Sequence, residues 1–138
     1  MKLLFTVLIS LIFSVRYSQT SNLDKIDTQK INCEKYLNGT FKIHGDSISP
    51  ETIIIRNGTY QKETTDKVEG YSEFIVNWIN NCTYTLSPTE ITFKRFPGLP
   101  KNALLTVQII EIKENSYVQI SSANFSEMRM TSEVFKIE

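Results

Sequence analysis

Two cysteines, Cys33 and Cys82, and one histidine, His44, are the side chains best suited to act as nucleophiles or metal ligands. A zinc site of the cysteine and histidine type needs four ligands, so these three residues cannot complete one. His44 stands at the end of a predicted strand beside Gly45 and Asp46, a composition typical of a solvated turn. No serine lies in a nucleophile-elbow motif, and the acidic residues are scattered through predicted turns rather than paired. The sequence therefore predicts no catalytic residue, metal or cofactor, and a protein that is not an enzyme.

The role of the two cysteines depends on the amino-terminal end of the chain. Lys2 is followed by thirteen largely apolar residues, 3 to 15, and then by a polar break. A charged start and an apolar run too short to span a bilayer are typical of a cleaved signal peptide, which we expect over residues 1–18. A buried strand is the alternative for this segment. The signal peptide predicts export, to the periplasm or outside the cell. There, an even pair of cysteines favours a disulfide between Cys33 and Cys82.

Charge and length limit the partners of the mature chain. The full chain has 15 basic and 15 acidic residues, and loss of Lys2 and Arg16 with the signal peptide leaves 13 basic against 15 acidic. Such a chain lacks the basic face of a nucleic-acid-binding protein, so no nucleic-acid partner is predicted. No second apolar run reaches membrane-spanning length, so no membrane span is predicted either. Residues 19–32 are polar and predicted to form a flexible leader, and residues 33–138 a single domain.

The rest of the chain has the pattern of a small all-β domain. Turn-forming residues recur roughly every eight to twelve positions, and no long segment has the apolar period of a helix. Short connections between the strands favour antiparallel neighbours. We expect a meander of eight or nine strands that curls into a small barrel or half-barrel. The predicted strands are Thr40–His44, Thr52–Arg56, Thr59–Thr64, Tyr71–Trp78, Cys82–Ser87, Glu90–Phe96, Leu104–Lys113, Ser116–Ser122 and Met128–Ile137.

One hairpin is predicted at Asn57-Gly58, in the segment TIIIRNGTYQKE. Both central residues of a two-residue type I′ turn need positive φ, which Asn and Gly tolerate best. This register places Ile55 opposite Tyr60 and gives that side of the hairpin a mostly apolar face.

A second hairpin is predicted in the segment VNWINNCTYTL, residues 76–86. A two-residue turn at Asn80-Asn81 would mix polar and apolar side chains on one face. A three-residue turn that also includes Ile79 instead sets Trp78 opposite Cys82 and makes their face wholly apolar or aromatic, so burial selects this register. Asn81 then takes the left-handed conformation that such a turn requires. Trp78 is thus predicted to pack beside the disulfide in the core.

The segment FPGLPKN, residues 96–102, combines Phe96 and Leu99 with two prolines and a glycine. It fits either a semi-rigid flap over a barrel mouth or a connection that buries Leu99 in the core. The second is favoured, because exposed apolar loop residues usually find local burial. Phe96 and Leu99 are the candidate residues for a ligand site at the mouth.

Several motifs give the chain a resemblance to known proteins: Cys33-x-x-Tyr36, Gly39-x-Phe41, and W-x-x-x-C-x-Y-x-L from Trp78 to Leu86. In order and spacing, the chain from about Cys33 to Glu138 resembles a family of small exported β-proteins common in flavobacteria and their relatives. Members often carry an automatic "DNA topoisomerase IV" label, which an exported, neutral and short chain does not support. The resemblance implies a fold and a compartment, and no activity. The segment from Gly39 to Phe41 also resembles the Gly-x-Trp start of calycin-type barrels, with Phe in place of Trp, which implies a lipocalin-like architecture.

Together these features predict a non-catalytic, exported binding or envelope-associated protein. In the favoured hypothesis the barrel core is solid, and the outer face or an edge strand binds a protein partner. In the alternative, the protein is a lipocalin-like carrier with a small apolar ligand inside and Phe96 and Leu99 at the mouth. An eight-stranded barrel permits both, and the number of bulky side chains predicted inside favours the filled core. These are Phe41, Phe74, Trp78, Tyr84, Phe93, Tyr117, Met128, Met130 and Phe135.

Overall fold

The computed structural model of this protein describes residues 31–138, which contain eight strands and one α-helix. A 3-10 turn, Glu34–Tyr36, precedes the first strand. The predicted signal peptide, residues 1–18, and residues 19–30 of the predicted leader lie outside the described residues. In chain order the elements are β1 (Gly39–Ile43), β2 (Thr52–Asn57), β3 (Tyr60–Thr65), β4 (Val68–Trp78), β5 (Thr83–Pro88), α1 (Glu90–Arg95), β6 (Leu105–Ile112), β7 (Ser116–Ala123) and β8 (Ser126–Lys136).

The strands form a closed antiparallel barrel. Each strand pairs with the next along the chain, and β8 returns to pair with β1. The predicted meander of eight strands is therefore confirmed, with full closure rather than a half-barrel. The seam between β1 and β8 is short, because only Phe41 with Lys136 and Lys42 with Phe135 face each other across it.

The segment Glu90–Phe96, predicted as a strand, instead forms helix α1. Glu90 and Lys94 make an ion pair of 3.0 Å one helical turn apart. The acidic side chain in the first turn and the basic side chains in the last turn also suit the helix dipole. Pro97 follows directly after the helix and does not continue it. These local signals outweigh the strand preference of the β-branched and aromatic residues between them.

One end of the barrel, here called the closed end, is filled by side chains around the 3-10 turn. Tyr36 from this turn packs on Tyr117, with ring centroids 4.6 Å apart, and on Phe41 at 6.4 Å. All three rings are buried. The predicted disulfide is present: Cys33, just before the turn, is bonded to Cys82, just before β5, with Cα atoms 5.3 Å apart. The bridge therefore ties the chain before β1 to the opposite side of the barrel.

The hairpin between β4 and β5 keeps its predicted faces, but its register is two residues away from the prediction. Trp78 faces Tyr84 rather than Cys82, and their ring centroids are 4.6 Å apart. The turn is longer because the side chain of Asn80 accepts a hydrogen bond of 3.0 Å from the backbone N–H of Cys82. Asn81 does not take the predicted left-handed conformation. Trp78 is partly buried and packs against both hydrophobic clusters of the barrel, one of which contains Cys33.

The hairpin between β2 and β3 is also two residues away from its predicted register. Asn57 faces Tyr60, and Ile55 faces Lys62 rather than Tyr60. Gly58, with φ +61°, occupies the turn, while Asn57 remains part of the strand. The apolar face predicted for this hairpin lies on the outside of the barrel, since Ile55 and Tyr60 are both exposed.

The prediction that Met128 and Met130 fill the barrel is wrong, because they are 71% and 59% exposed. Both lie near the start of β8. That strand has eleven residues, whereas β1 across the seam has five. The first part of β8 therefore has no β1 partner to cover it, and its methionines stay in contact with solvent.

Candidate ligand-binding site

An open concavity of about 520 Å³ lies at the end of the barrel opposite the 3-10 turn, here called the open end. This end carries the connection from β5 to β6, which contains α1, and the turn from β7 to β8. Its lining is mostly apolar, with residues contributed by the inner barrel wall, by α1 and the loop after it, and by the β7–β8 turn. The lining residues are Phe74, Thr92, Arg95, Phe96, Pro97, Gly98, Leu99, Leu105 and Phe125.

Helix α1 is fixed to the barrel wall by one threonine. The hydroxyl of Thr92 donates to the carbonyl of Glu73 in β4 and accepts from the backbone N–H of the same residue, both at 2.7 Å. Thr92 is fully buried. Phe74, the next residue along β4, lines the concavity. One wall of the site is thus held by a pair of partly buried hydrogen bonds next to the residues that form it.

The loop from Phe96 to Leu104 is held by the β7–β8 turn. The side chain of Asn124 accepts from the backbone N–H of Leu104 at 2.9 Å and donates to the carbonyl of Asn102 at 2.8 Å. The backbone N–H of Asn124 also donates to the carbonyl of Leu104, at 3.0 Å. The opposite wall carries Phe125. Both walls are therefore formed before any ligand arrives, which lowers the entropy cost of binding.

The structure brings both predicted mouth residues to this site. Phe96 is 47% exposed and Leu99 is partly buried, and both line the concavity. Leu99 does not join either hydrophobic cluster of the barrel. The interpretation in which the connection buries Leu99 in the core is therefore wrong. The loop forms the wall of an open site at the mouth.

Several contributors to the site are not identified from the sequence, among them Phe125, Phe74 and Arg95. Phe125 lies in the turn segment ANFS. An aromatic residue between turn-forming residues is the sequence signal that could have identified it as part of the site. Phe74 was predicted as a core residue without a role at the mouth. Arg95 lies in the segment assigned to a strand, and its position on the last turn of α1 follows only from the helix.

Among the described side chains that line the concavity, Arg95 alone has N–H donors that make no hydrogen bond within the barrel. The guanidinium lies over the ring of Phe96, 5.4 Å from its centroid. In residues 31–138, no carboxylate pairs with it, whereas the neighbouring Lys94 pairs with Glu90. The open end therefore combines apolar walls with one positive charge at the edge of the concavity.

A second arginine, Arg56, fills the barrel interior towards the closed end and was not predicted there. Its guanidinium donates to the carbonyl of Tyr36 at 2.6 Å, to the side-chain oxygen of Gln61 at 2.8 Å and to the hydroxyl of Tyr84 at 2.8 Å. It also lies over the ring of Phe41, 4.9 Å from the centroid. Arg56 is only 1% exposed. All of these partners come from the protein itself, so this charge is structural.

The polar interior continues from Gln61 to Glu63. The side-chain amide of Gln61 donates to the carboxyl of Glu63 at 2.7 Å. Burial raises the pKa of Glu63, and the hydrogen bond from Gln61 and the charge of Arg56 oppose this shift only in part. Burial likewise raises the pKa of Tyr84, which therefore stays neutral and can accept from Arg56. This network occupies the space that a ligand would need deeper in the barrel.

Between residues 31 and 138, no three side chains of the His, Cys, Asp and Glu types come together as metal ligands would. No helix in the same range is long and apolar enough to cross a membrane.

Comparison of the chain with protein-family models, with curated proteins and with solved structures found no match. The resemblance of the W-x-x-x-C-x-Y-x-L segment to a flavobacterial family therefore stays a prediction.

Proposed function

We propose that this protein is an exported, non-catalytic binding protein that takes a small apolar ligand into the concavity at the open end. The observation that carries the proposal is the lining: Phe74, Phe96, Leu99, Leu105 and Phe125 surround about 520 Å³ on walls that hydrogen bonds hold in place. Sites for small molecules are typically concave, mostly apolar, largely pre-formed and of this volume.

The driving force for such binding is the removal of exposed aromatic surface from water. Phe96 and Phe125 are 47% and 43% exposed. Covering apolar surface contributes about 25 cal/mol per Å². The Cys33–Cys82 disulfide is compatible with an exported protein, and we include export in the proposal on that basis and on the predicted signal peptide.

A protein partner is a second candidate, and the first part of β8 favours it. Residues 126–133 pair with β7 on one side, and within residues 31–138 they have no strand on the other side. Met128 and Met130 are exposed along this stretch. A free strand edge can accept a strand from a partner, and methionines adapt to varied surfaces.

A matched pair of variants tests the proposed function. Phe96 and Ile55 are equally exposed, both at 47%, but Phe96 lines the concavity and Ile55 lies on the outer face. The uncharged apolar dye N-phenyl-1-naphthylamine is titrated against the wild-type protein, Phe96→Ser and Ile55→Ser, with its fluorescence as the signal. We expect Phe96→Ser to weaken binding roughly five- to tenfold, as the loss of part of a buried ring implies, and Ile55→Ser to leave it unchanged.

Failure to bind the dye, or equal effects of the two substitutions, would contradict a ligand site at the open end. Native mass spectrometry of protein purified from its own host provides the second measurement. A small added mass supports the proposed function. A co-purifying protein that is lost in Met130→Lys supports the partner at the β8 edge instead.

A further inference from the structure

We propose that the ligand is an amphipathic anion, a free single-chain carboxylate of the fatty-acid class. Its hydrocarbon tail lies against the apolar walls of the open end, and its carboxylate binds the guanidinium of Arg95. This inference rests on the proposed function and adds the chemistry of the ligand's polar group.

Arg95 places a positive charge beside the apolar walls of the open end. Arg95 is half-buried at the edge of the concavity, and the stacking on Phe96 directs its guanidinium along the lining. A Cβ placed on Gly70 would come 3.7 Å from the Nη1 atom of Arg95. Since glycine has no side chain, β4 places no side-chain atom on this side of the guanidinium, and the stacking on Phe96 holds the charge at the edge of the concavity.

The guanidinium of Arg95 lacks a carboxylate partner in residues 31–138. Lys42, Lys94 and Lys113 each pair with a glutamate of the described chain. Arg56 uses its donors on oxygen atoms inside the barrel. Arg95 has neither arrangement, although it stands next to apolar walls that reduce its hydration. An anion from outside complements it in charge.

A carboxylate is the anionic group that best matches the guanidinium of Arg95. A guanidinium presents parallel N–H donors that match the two oxygens of a carboxylate, and such charge-assisted hydrogen bonds are stronger than neutral ones. The remaining lining side chains are apolar, apart from Thr92, whose hydroxyl is engaged with Glu73. One anionic group joined to a hydrocarbon chain satisfies both parts of the lining.

The test compares two ligands that differ in the polar group alone, dodecanoate and dodecanol, by displacement of N-phenyl-1-naphthylamine. Arg95→Gln removes the proposed partner of the carboxylate. Lys94→Gln is the control, because it removes the same charge from the same helical turn but from a side chain outside the concavity. We expect wild type and Lys94→Gln to bind dodecanoate at least tenfold more tightly than dodecanol, in keeping with a hydrogen bond to a charged group. Arg95→Gln should bind both ligands equally and dodecanol as wild type does.

A series of carboxylates of different chain length tests whether the hydrocarbon tail lies against the apolar walls. Each methylene added between octanoate and dodecanoate should tighten binding roughly three- to fourfold while the concavity has room for it. Affinity that does not change with chain length would overturn the placement of the tail.

The outcomes separate this inference from the proposed function. If wild type binds dodecanol as tightly as dodecanoate, the anionic ligand is wrong and the apolar site stands. If neither ligand displaces the dye and the dye itself does not bind, both proposals are wrong. If the protein sediments with vesicles of phosphatidylglycerol and phosphatidylcholine but does not bind dodecanoate, the free carboxylate is overturned in favour of an anionic lipid surface.

Discussion

The two ends of the barrel each contain an arginine, and their surroundings give these side chains different roles. At the closed end, Arg56 donates to Tyr36, Gln61 and Tyr84 and is shielded from water. At the open end, Arg95 stacks on Phe96 beside an open apolar concavity. The acceptors around a guanidinium decide whether it holds the fold together or stays available for an outside partner. The comparison teaches that a buried charge is weak grounds for a binding site unless some of its donors remain free.

The largest expected effect is the difference in stability between Arg56→Leu and Arg95→Leu. Arg56→Leu leaves three buried acceptors without donors, and each unsatisfied group costs about 1–3 kcal/mol, so we expect a loss of about 3 kcal/mol or more. Arg95→Leu should change stability by less than about 0.5 kcal/mol. Urea denaturation measures both. Equal losses would mean that the two ends do not differ in the way described.

The second prediction concerns the Cys33–Cys82 bridge, which belongs to the closed end. Replacing both cysteines with alanine should lower the free energy of unfolding by about 2–4 kcal/mol, because the unfolded chain is no longer restricted. Dye binding at the open end should be unchanged in the folded variant. Denaturation and dye titration on the same sample measure the two effects. Weaker dye binding by a variant that is still folded would show that the ends are coupled.

The smallest expected effect is a difference between Glu63 and Glu133 in how each makes the free energy of unfolding depend on pH. Burial raises the pKa of Glu63, so between the ordinary glutamate pKa and this raised value the folded protein binds more protons there than the unfolded chain. The contribution of Glu63 to the free energy of unfolding of the wild-type protein therefore falls as pH rises. Glu63→Gln should gain stability relative to wild type as pH rises from the ordinary glutamate pKa through the raised one, as measured by urea denaturation at several pH values.

Glu133, in the β7–β8 strand pair, is the control, because its pKa is shifted in the opposite direction. A hydrogen bond from the hydroxyl of Ser116, at 2.7 Å, and the pairing with Lys113 hold its pKa below the ordinary value. Its stabilisation is present above the ordinary pKa and is lost as pH falls through the lowered one. Glu133→Gln should therefore lose stability near neutral pH and approach wild type in acid. Parallel pH profiles for the two variants would contradict the buried environment of Glu63.

The barrel and its disulfide could be predicted from the sequence, because strand alternation and turn spacing mark the strands and an even number of cysteines favours a bridge. The position of Leu99 at the mouth is the less favoured of the two alternatives that the sequence leaves. The helix Glu90–Arg95 could not, since six residues are too short to show a helical period and its packing depends on the bonds between Thr92 and Glu73. Both hairpins are displaced by two residues from their predicted registers, because a shift of two keeps every side chain on the same face and the apolar pattern does not distinguish such registers. The interior place of Arg56 was hidden by apolar residues on both faces of β2.

The short seam between β1 and β8 has a consequence for the order in which the barrel folds. The other strand pairs join neighbours along the chain, whereas the seam joins Phe41 to Lys136, 95 positions apart. Contacts between distant residues form late, because they must first overcome the entropy of closing a long loop. We therefore expect the seam to be the last pairing to form and the first to open. Once it opens, β1 stays paired with β2, and the Cys33–Cys82 bridge still holds the segment before β1 near the start of β5, so the strand can return to its place without a search through the unfolded chain.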